Sequence, residues 1–161
     1  LVPGGVRLDR LHAIFQVAMG WTNSHLHEFR VGDTRYGEPD PDFDERDVRD
    51  ERSVRLFELA PRVNDSFLYE YDFGDSWEHR VVVEKILTPA DRPAELSICL
   101  AGARACPPED CGGVPGYESF LEAIRDPGHE EHAAMLTWVG GTFHPEVFDL
   151  EQVDKRLRRM R

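Results

Sequence analysis

The feature that most constrains the fold of this chain is a regular alternation of large apolar and polar residues on both sides of one short turn. The alternating residues are Phe67, Tyr69 and Tyr71 before the turn and Trp77, His79, Val81 and Val83 after it. Because successive side chains of a strand point to opposite faces, this pattern predicts a long antiparallel hairpin with one aromatic face. We expect both tyrosines, Trp77 and both valines to be largely buried.

A second clear pattern precedes the hairpin. Apolar residues recur at helical spacing over 8–19, and Gly20 follows where a glycine commonly ends a helix. These features predict an amphipathic helix. The segment 25–31 then suits a short strand, which would place His25 and His27 on one face with apolar partners, and a turn leads to a further strand.

The remaining segments carry weaker signals. Residues 38–52 are dense in acid and proline, which predicts a mobile acidic loop, and 54–59 is a short apolar segment of undecided type. Leu96–Leu100 suits an additional strand. Apolar spacing and stop signals predict three later helices, around 117–124, around 132–139 and after Asp149. Strands and helices do not alternate regularly, so we expect an α+β fold, a mainly antiparallel sheet packed against several helices.

Length and charge limit the possible functions. A chain of 161 residues suits a single domain, expected over 1–161, and the formal net charge of -12 opposes tight, sequence-specific binding of nucleic acid. No apolar run reaches the roughly 20 residues that cross a bilayer, and the first residues lack the charged and apolar regions of a signal peptide. We therefore expect a cytoplasmic protein without membrane contact; the oligomeric state is left open.

One basic cluster contrasts with this acidic background. It occupies the tail 155–161 and consists of Lys155, Arg156, Arg158, Arg159 and Arg161. Cations near the carboxyl end of a helix complement its dipole, so a solvated tail is the simpler interpretation. The alternative is contact with nucleic acid or with an acidic partner.

Seven histidines and three cysteines make metal binding a hypothesis, since imidazole and thiolate are the usual zinc ligands. The candidate ligands for zinc are Cys99, Cys106, Cys111, His129 and His132. The cysteine spacing matches no paired zinc-finger pattern, so histidines from elsewhere would have to complete the site. The alternative is that the thiols are reduced, small and buried.

A second candidate site combines three histidines with two aspartates of the hairpin turn: His25, His27, His79, Asp72 and Asp75. If the first strand and the hairpin share one sheet, the imidazoles would project beside the carboxylates and form an acid–base or metal cluster. The alternative assigns the aspartates to turn formation and the histidines to structural hydrogen bonds. Both interpretations fit the spacing.

Several stretches resemble the plasmid pRiA4b ORF-3-like family over nearly the whole chain. They are Leu11–Gln16 with Met19–Trp21, His25–Phe29, Tyr71–His79, and Cys106–Gly113 followed by Gly116-Tyr117 and His129–His132. The resemblance implies an α+β fold, carriage on plasmids and insertion elements, a resolvase label and no established activity. Members of the family generally begin with a strand carrying a Pro-Pro-aliphatic-Trp-Arg-Arg motif, which this chain lacks, so we expect its sheet to miss a strand.

The residues that a serine resolvase requires can be sought in this sequence. Serine recombination needs a nucleophilic serine among arginines that stabilise the phosphoryl transition state, together with a basic DNA-binding domain, and the serines of this acidic chain offer no such setting. We therefore expect a non-enzymatic binding module associated with mobile elements, whose partner is a protein. The alternative is a metal-dependent hydrolase that uses the histidine–aspartate cluster at the hairpin.

Overall fold

The molecule is an α+β structure, as the order of the sequence patterns predicts. The computed structural model describes residues 1–39, 47–88 and 97–160. The strands are β1 (His27–Val31), β2 (Thr34–Gly37), β3 (Val48–Asp50), β4 (Ser66–Tyr71) and β5 (Trp77–Val82). The helices are α1 (Leu8–Met19), α2 (Leu56–Leu59), α3 (Gly113–Arg125), α4 (His132–Trp138) and α5 (Leu150–Leu157).

The strands form one mixed sheet in the order β3-β2-β1-β4-β5. The β4–β5 hairpin and its neighbours pair in the antiparallel sense, while β2 and β3 pair in parallel. Tyr69 lies between Phe29 on β1 and His79 on β5, and Tyr71 lies opposite Trp77. The hairpin register that the alternation predicts is therefore confirmed.

The aromatic face of the hairpin supplies the core. Tyr69 and Tyr71 are completely buried and Trp77 retains 8% of its exposure, as predicted. Val81 on β5 and Val83 directly after it are only half-buried, contrary to the prediction, because β5 lies at the sheet edge within the part of the chain that the structure describes. The helix α1 covers this face, and the ring of its Phe15 packs edge-on against Tyr69 at 4.9 Å between centroids.

The start of the chain forms the predicted helix and ends where expected. Gly20 adopts a left-handed φ of 86°, and its N–H donates to the carbonyl of Gln16. A residue with a Cβ is disfavoured in that conformation, so glycine suits the end of α1. Three later helices are confirmed as well; the last begins at Leu150, where the Asp149 side chain accepts from the Gln152 N–H.

Two expectations from the sequence are wrong, one about a predicted loop and one about a predicted strand. Within the acidic stretch 38–52, residues 48–50 form β3 and 51–53 form a 3-10 turn, because pairing with β2 satisfies the backbone and the Glu51 carboxylate is buried against His27. Residues 40–46 of that stretch lie outside the described residues. The expected strand at Leu96–Leu100 is absent over 97–100, although the Ile98 N–H donates to the Leu1 carbonyl.

The hairpin turn is in close contact with residues 106–113, which we call the cysteine loop. The Gly112 N–H donates to Asp75 Oδ2 at 3.1 Å, and a Cβ on Gly113 would lie 2.5 Å from the Asp75 carbonyl oxygen.

No helix in the described part of the chain is long and apolar enough to cross a membrane.

We predict that Gly113→Ala destabilises the protein by about 2–4 kcal/mol, because the new methyl group overlaps backbone and the residue has a left-handed φ of 66°. Urea unfolding at pH 7 measures the change. The control is Gly4→Ala, since a Cβ on Gly4 meets nothing within 4 Å. Equal stability of the two variants would contradict close docking of the cysteine loop on the turn.

Candidate metal centre

The first part of the site is the residue at which β4 turns. Asp72 follows β4 with a φ of 57°, and only 8% of it is exposed. Its Oδ1 accepts from the Gly74 N–H at 3.0 Å and the Asp75 N–H at 3.3 Å, an arrangement that builds the turn. Its Oδ2 lies 3.7 Å from His25 Nε2. One oxygen of Asp72 thus forms the turn and the other faces the histidine.

The second part comes from the cysteine loop. The Trp21 indole N–H donates to the Pro107 carbonyl at 3.0 Å, and Gly112 is bound to Asp75, so both ends of the loop are attached. Asp110 stands between these attachments with a φ of 59°. Its Oδ1 lies 3.0 Å from His25 Nε2, while 69% of its side chain is exposed. The loop therefore presents a carboxylate at the solvent side of His25.

His25, Asp72 and Asp110 form a group with the composition of a metal site. One donor atom from each lies within 4.8 Å of the other two. His25 Nε2 is buried and makes no hydrogen bond of normal geometry with either carboxylate. An imidazole nitrogen and two carboxylate oxygens suit a divalent cation. On binding, such an ion would draw each donor atom to about 2.0–2.2 Å from itself. The buried, unbonded nitrogen aimed at two carboxylates indicates that these residues fit such an ion.

The other predicted members of the histidine cluster lie apart from this group. His27 Nε2 bonds to Glu51 Oε2 at 2.8 Å, and His79 Nδ1 bonds to the Trp77 carbonyl at 2.9 Å. Burial also lowers the pKa of His79. The structure therefore brings His25 and Asp72 together, with Asp75 holding the neighbouring loop, whereas His27 and His79 make separate structural hydrogen bonds.

A buried polar network beside His27 is centred on His12, which the sequence patterns did not single out as a site residue. His12 stacks on His27 with 3.4 Å between ring centroids. Its Nδ1 lies 2.8 Å from the Tyr69 hydroxyl, and its Nε2 lies 2.5 Å from Asn23 Oδ1. Because an amide oxygen only accepts, Nε2 carries the proton and Nδ1 accepts from Tyr69. Burial, with the neighbouring His27, lowers the pKa of His12 to about 4.

The five predicted zinc ligands do not converge in the part of the chain that the structure describes. Cys99 donates to the Ala101 carbonyl at 3.5 Å, His129 Nδ1 accepts from the Glu131 N–H, and His132 Nδ1 bonds to the Ala123 carbonyl. Burial raises the pKa of Cys106 to about 12 and that of Cys111 to about 11. These two thiols are thus held in their protonated form, half-buried beside the core.

Asp110 and Glu109 are the acidic residues of the site that sequence patterns missed. Both stand in the cysteine loop, where the two cysteines were the more conspicuous ligands. The available signal was the coincidence of acids with turn-forming residues in two loops, one at 72–76 and one at 106–113. Whether the two loops touch depends on how the cysteine loop docks on the hairpin turn. The spacing of apolar residues along the chain carries no information about that contact.

Fold and site together define a small α+β protein in which a mixed sheet supports a histidine–carboxylate cluster at a hairpin turn. The chain belongs to the plasmid pRiA4b ORF-3-like family, whose sequence profile matches residues 1–152. The resemblance inferred from the motifs is thereby confirmed.

Two relatives extend this assignment. The uncharacterized protein y4hQ of Sinorhizobium fredii (strain NBRC 101917 / NGR234) is 43% identical over 142 residues, which cover 88% of this chain and 72% of that one. The crystal structure of MM3350, a protein of unknown function from Methanosarcina mazei Go1, is similar with a TM-score of 0.80 and 37% identity. That match covers 93% of this chain and 84% of the other. The similarity confirms the fold and names no activity.

We predict that stability falls in acid because of His12. Its folded pKa of about 4 lies below the ordinary histidine pKa of 6.5, so folding favours the neutral ring. Its contribution is therefore complete above about pH 6.5 and is lost as the pH falls through about 4, a change on the order of 3 kcal/mol. Urea unfolding at pH 7, 5 and 4 measures it. His12→Gln should flatten this dependence and His144→Gln, at an exposed histidine, should not; the reverse result would contradict the assignment.

Proposed function

We propose that this protein is a binding module that takes one divalent cation at His25, Asp72 and Asp110. The observation that carries the proposal is the convergence of one imidazole nitrogen and two carboxylate oxygens within 4.8 Å. The three residues come from three separate segments, so a cation bound there would join the segment before β1, the hairpin turn and the cysteine loop. Because the ion would bind only when these segments are together, its binding free energy would stabilise the docked position of the cysteine loop.

Electrostatics supports a cation at this position. Two carboxylates held within 4.8 Å of each other repel by roughly 1–4 kcal/mol, depending on the effective dielectric, and a divalent ion reverses the sign of that contribution. The mixed nitrogen and oxygen donors favour zinc or manganese over a purely oxygen-seeking ion such as calcium. These two ions are therefore the ones to test first.

The neighbouring carboxylates favour binding without turnover. Both oxygens of Glu109 accept hydrogen bonds from Tyr71 and Thr22, and Asp75 Oδ2 accepts from the Gly112 N–H. A general base needs an oxygen within reach of the water it activates. Because these carboxylate oxygens are already engaged in the structure, the contacts support a module rather than an enzyme.

A metal-dependent hydrolase is the second candidate. The observation that favours it is the number of protein ligands, since three leave coordination positions for water, as in catalytic zinc sites. The exposed Asp110 also leaves one side of the group open to solvent. Hydrolysis of a model phosphodiester or ester by the zinc- or manganese-loaded protein, lost in Asp72→Asn, would promote this candidate over the module.

We further propose that the partner of the module is a protein. Large apolar side chains are exposed on α3, on α4, and at and just before the start of α5; they are Val114, Trp138, Val147 and Leu150, at 39–59%. Such side chains suit a protein contact better than a phosphate backbone. We also propose that the module is associated with mobile genetic elements, since the family takes its name from a plasmid reading frame.

We predict that the chelator-stripped, untagged protein binds one equivalent of zinc or manganese. His25→Ala and Asp72→Asn should each weaken binding at least tenfold, a size typical of disturbed metal sites (~10–100-fold). Asp72→Asn retains the oxygen that forms the turn and replaces the one that faces His25. Isothermal titration calorimetry and elemental analysis measure affinity and stoichiometry.

The matched control is His144→Ala, which removes an exposed histidine outside the group. It should bind the ion as the unmodified protein does. Equal affinity in all four proteins, or no binding by any of them, would overturn the proposed cation site.

We predict only weak, salt-sensitive contact with DNA. Of the basic tail, Arg158 is paired with Asp154 at 2.7 Å, and the Arg156 guanidinium lies beside Gly20 at the carboxyl end of α1. The position of Arg156 suits complementation of the α1 dipole, and the charge of Arg158 is balanced by its ion pair with Asp154; Arg161 lies outside the described residues. Fluorescence anisotropy at about 150 mM salt tests the prediction. A sub-micromolar, competitor-resistant complex that is lost when Arg156, Arg158 and Arg159 become alanine would contradict it.

A further inference from the structure

Glu109, which precedes Asp110 in the cysteine loop, accepts three hydrogen bonds from two residues. Its Oε1 accepts from the Tyr71 hydroxyl at 2.5 Å. Its Oε2 accepts from the Thr22 N–H at 2.9 Å and from the Thr22 hydroxyl at 2.5 Å. Although burial acts in the opposite direction, the hydrogen bonds from Thr22 and Tyr71 hold the pKa of Glu109 below its usual value.

The donors to Glu109 belong to the segments that carry the other two candidate ligands. Tyr71 directly precedes Asp72, and its ring lies edge-on to His25 at 5.8 Å between centroids. Thr22 lies on the segment that leads to His25, and on the same segment the Ser24 N–H donates to the Tyr71 hydroxyl at 3.0 Å. Glu109 itself adjoins Asp110. One carboxylate thus joins the chain neighbours of all three candidate ligands.

We propose that Glu109 is a positioning residue that sets the geometry and affinity of the cation site without binding the ion. This inference rests on the proposed function. Asp110 needs such support, because 69% of its side chain is exposed while its Oδ1 contacts His25 Nε2. Without the anchor, the loop backbone that carries Asp110 would have to be ordered each time the aspartate closed on the ion, at a cost in backbone entropy.

The hydrogen bonds of Glu109 separate this role from two others. A metal ligand would need a free carboxylate oxygen aimed at the ion, and Glu109 is outside the group of donors that converge within 4.8 Å. A general base would need an oxygen free for water, and both oxygens are engaged. What Glu109 provides is a fixed distance between the cysteine loop and the segment before β1.

The test compares zinc affinity among variants that remove one side of the contact at a time. Glu109→Ala removes all three hydrogen bonds, Glu109→Gln keeps the shape and loses the charge, and Tyr71→Phe removes one donor. Groups that orient metal ligands typically contribute 10–100-fold in affinity, so we expect Glu109→Ala to weaken zinc binding by at least tenfold, with the other two variants intermediate. Stoichiometry should stay at one. The matched control is Glu146→Ala, since Glu146 is an exposed carboxylate that pairs with Arg104.

Two further measurements separate positioning from a general effect on folding. The absorption spectrum of the cobalt-substituted protein reports ligand geometry and should change in Glu109→Ala and not in Glu146→Ala. A double-mutant cycle between Tyr71→Phe and Glu109→Ala should be non-additive in zinc affinity, since both remove the same bond. Should Glu109→Ala fold poorly in the absence of metal, Glu109→Leu, which fills more of the space and accepts no hydrogen bond, completes an equivalent cycle with Tyr71→Phe.

The outcomes distinguish this inference from the proposed function. No zinc or manganese binding by the unmodified protein would overturn both. Normal binding by the unmodified protein, with an unchanged affinity and cobalt spectrum in Glu109→Ala, would overturn the role of Glu109 alone. Weaker binding with a changed spectrum and a non-additive cycle supports it.

Discussion

Complete burial of two tyrosines on β4 is the constraint on which the rest of the structure depends. The rings of Tyr69 and Tyr71 fill the space between the sheet and α1, so their hydroxyl groups end inside the protein. A buried hydroxyl without a partner costs about 1–3 kcal/mol, which a marginally stable domain has little capacity to absorb. Each hydroxyl must therefore meet polar groups brought by other elements.

The two hydroxyl groups attach different parts of the chain. Tyr69 bonds to His12 and also accepts from the Gln16 amide at 3.1 Å, which aligns α1 with the sheet. Tyr71 accepts from the Ser24 N–H and donates to Glu109, which brings the cysteine loop to the hairpin turn. The first network is closed and lies inside the core. The second reaches the surface, where it leaves a histidine and two aspartates close together.

Much of the secondary structure could be predicted because it follows from local periodicity. The hairpin and α1 carry apolar side chains at regular spacing, and the glycine after α1 adopts the conformation that only glycine takes without strain. The strand β3 could not be predicted in this way. Its three residues, Val48–Asp50, are mostly charged, and their pairing partner is the preceding strand β2, which runs in parallel. Short parallel pairing leaves no alternating pattern in one segment alone.

The candidate site was predicted only in part, for a similar reason. His25 and Asp72 were grouped correctly, since the strand and the hairpin share a sheet. The strand, however, begins at His27, so His25 lies in the irregular segment before it and turns toward Asp72, while His27 turns toward Glu51. Asp110 was missed because its position depends on the docking of the cysteine loop. The loop docks only where three features meet: the glycine at 113, the carboxylate at 109 and the turn at 72–76.

By itself the sequence determined the family, the class of fold and most of the helices and strands, because hydrophobic spacing and turn-forming residues act over a few neighbouring positions. The tertiary structure decided which polar side chains meet. Partners such as Tyr71 and Glu109 are far apart in the chain, and their contact is selected by the need to satisfy buried polar groups once the core has closed. The candidate cation site is a product of that second step.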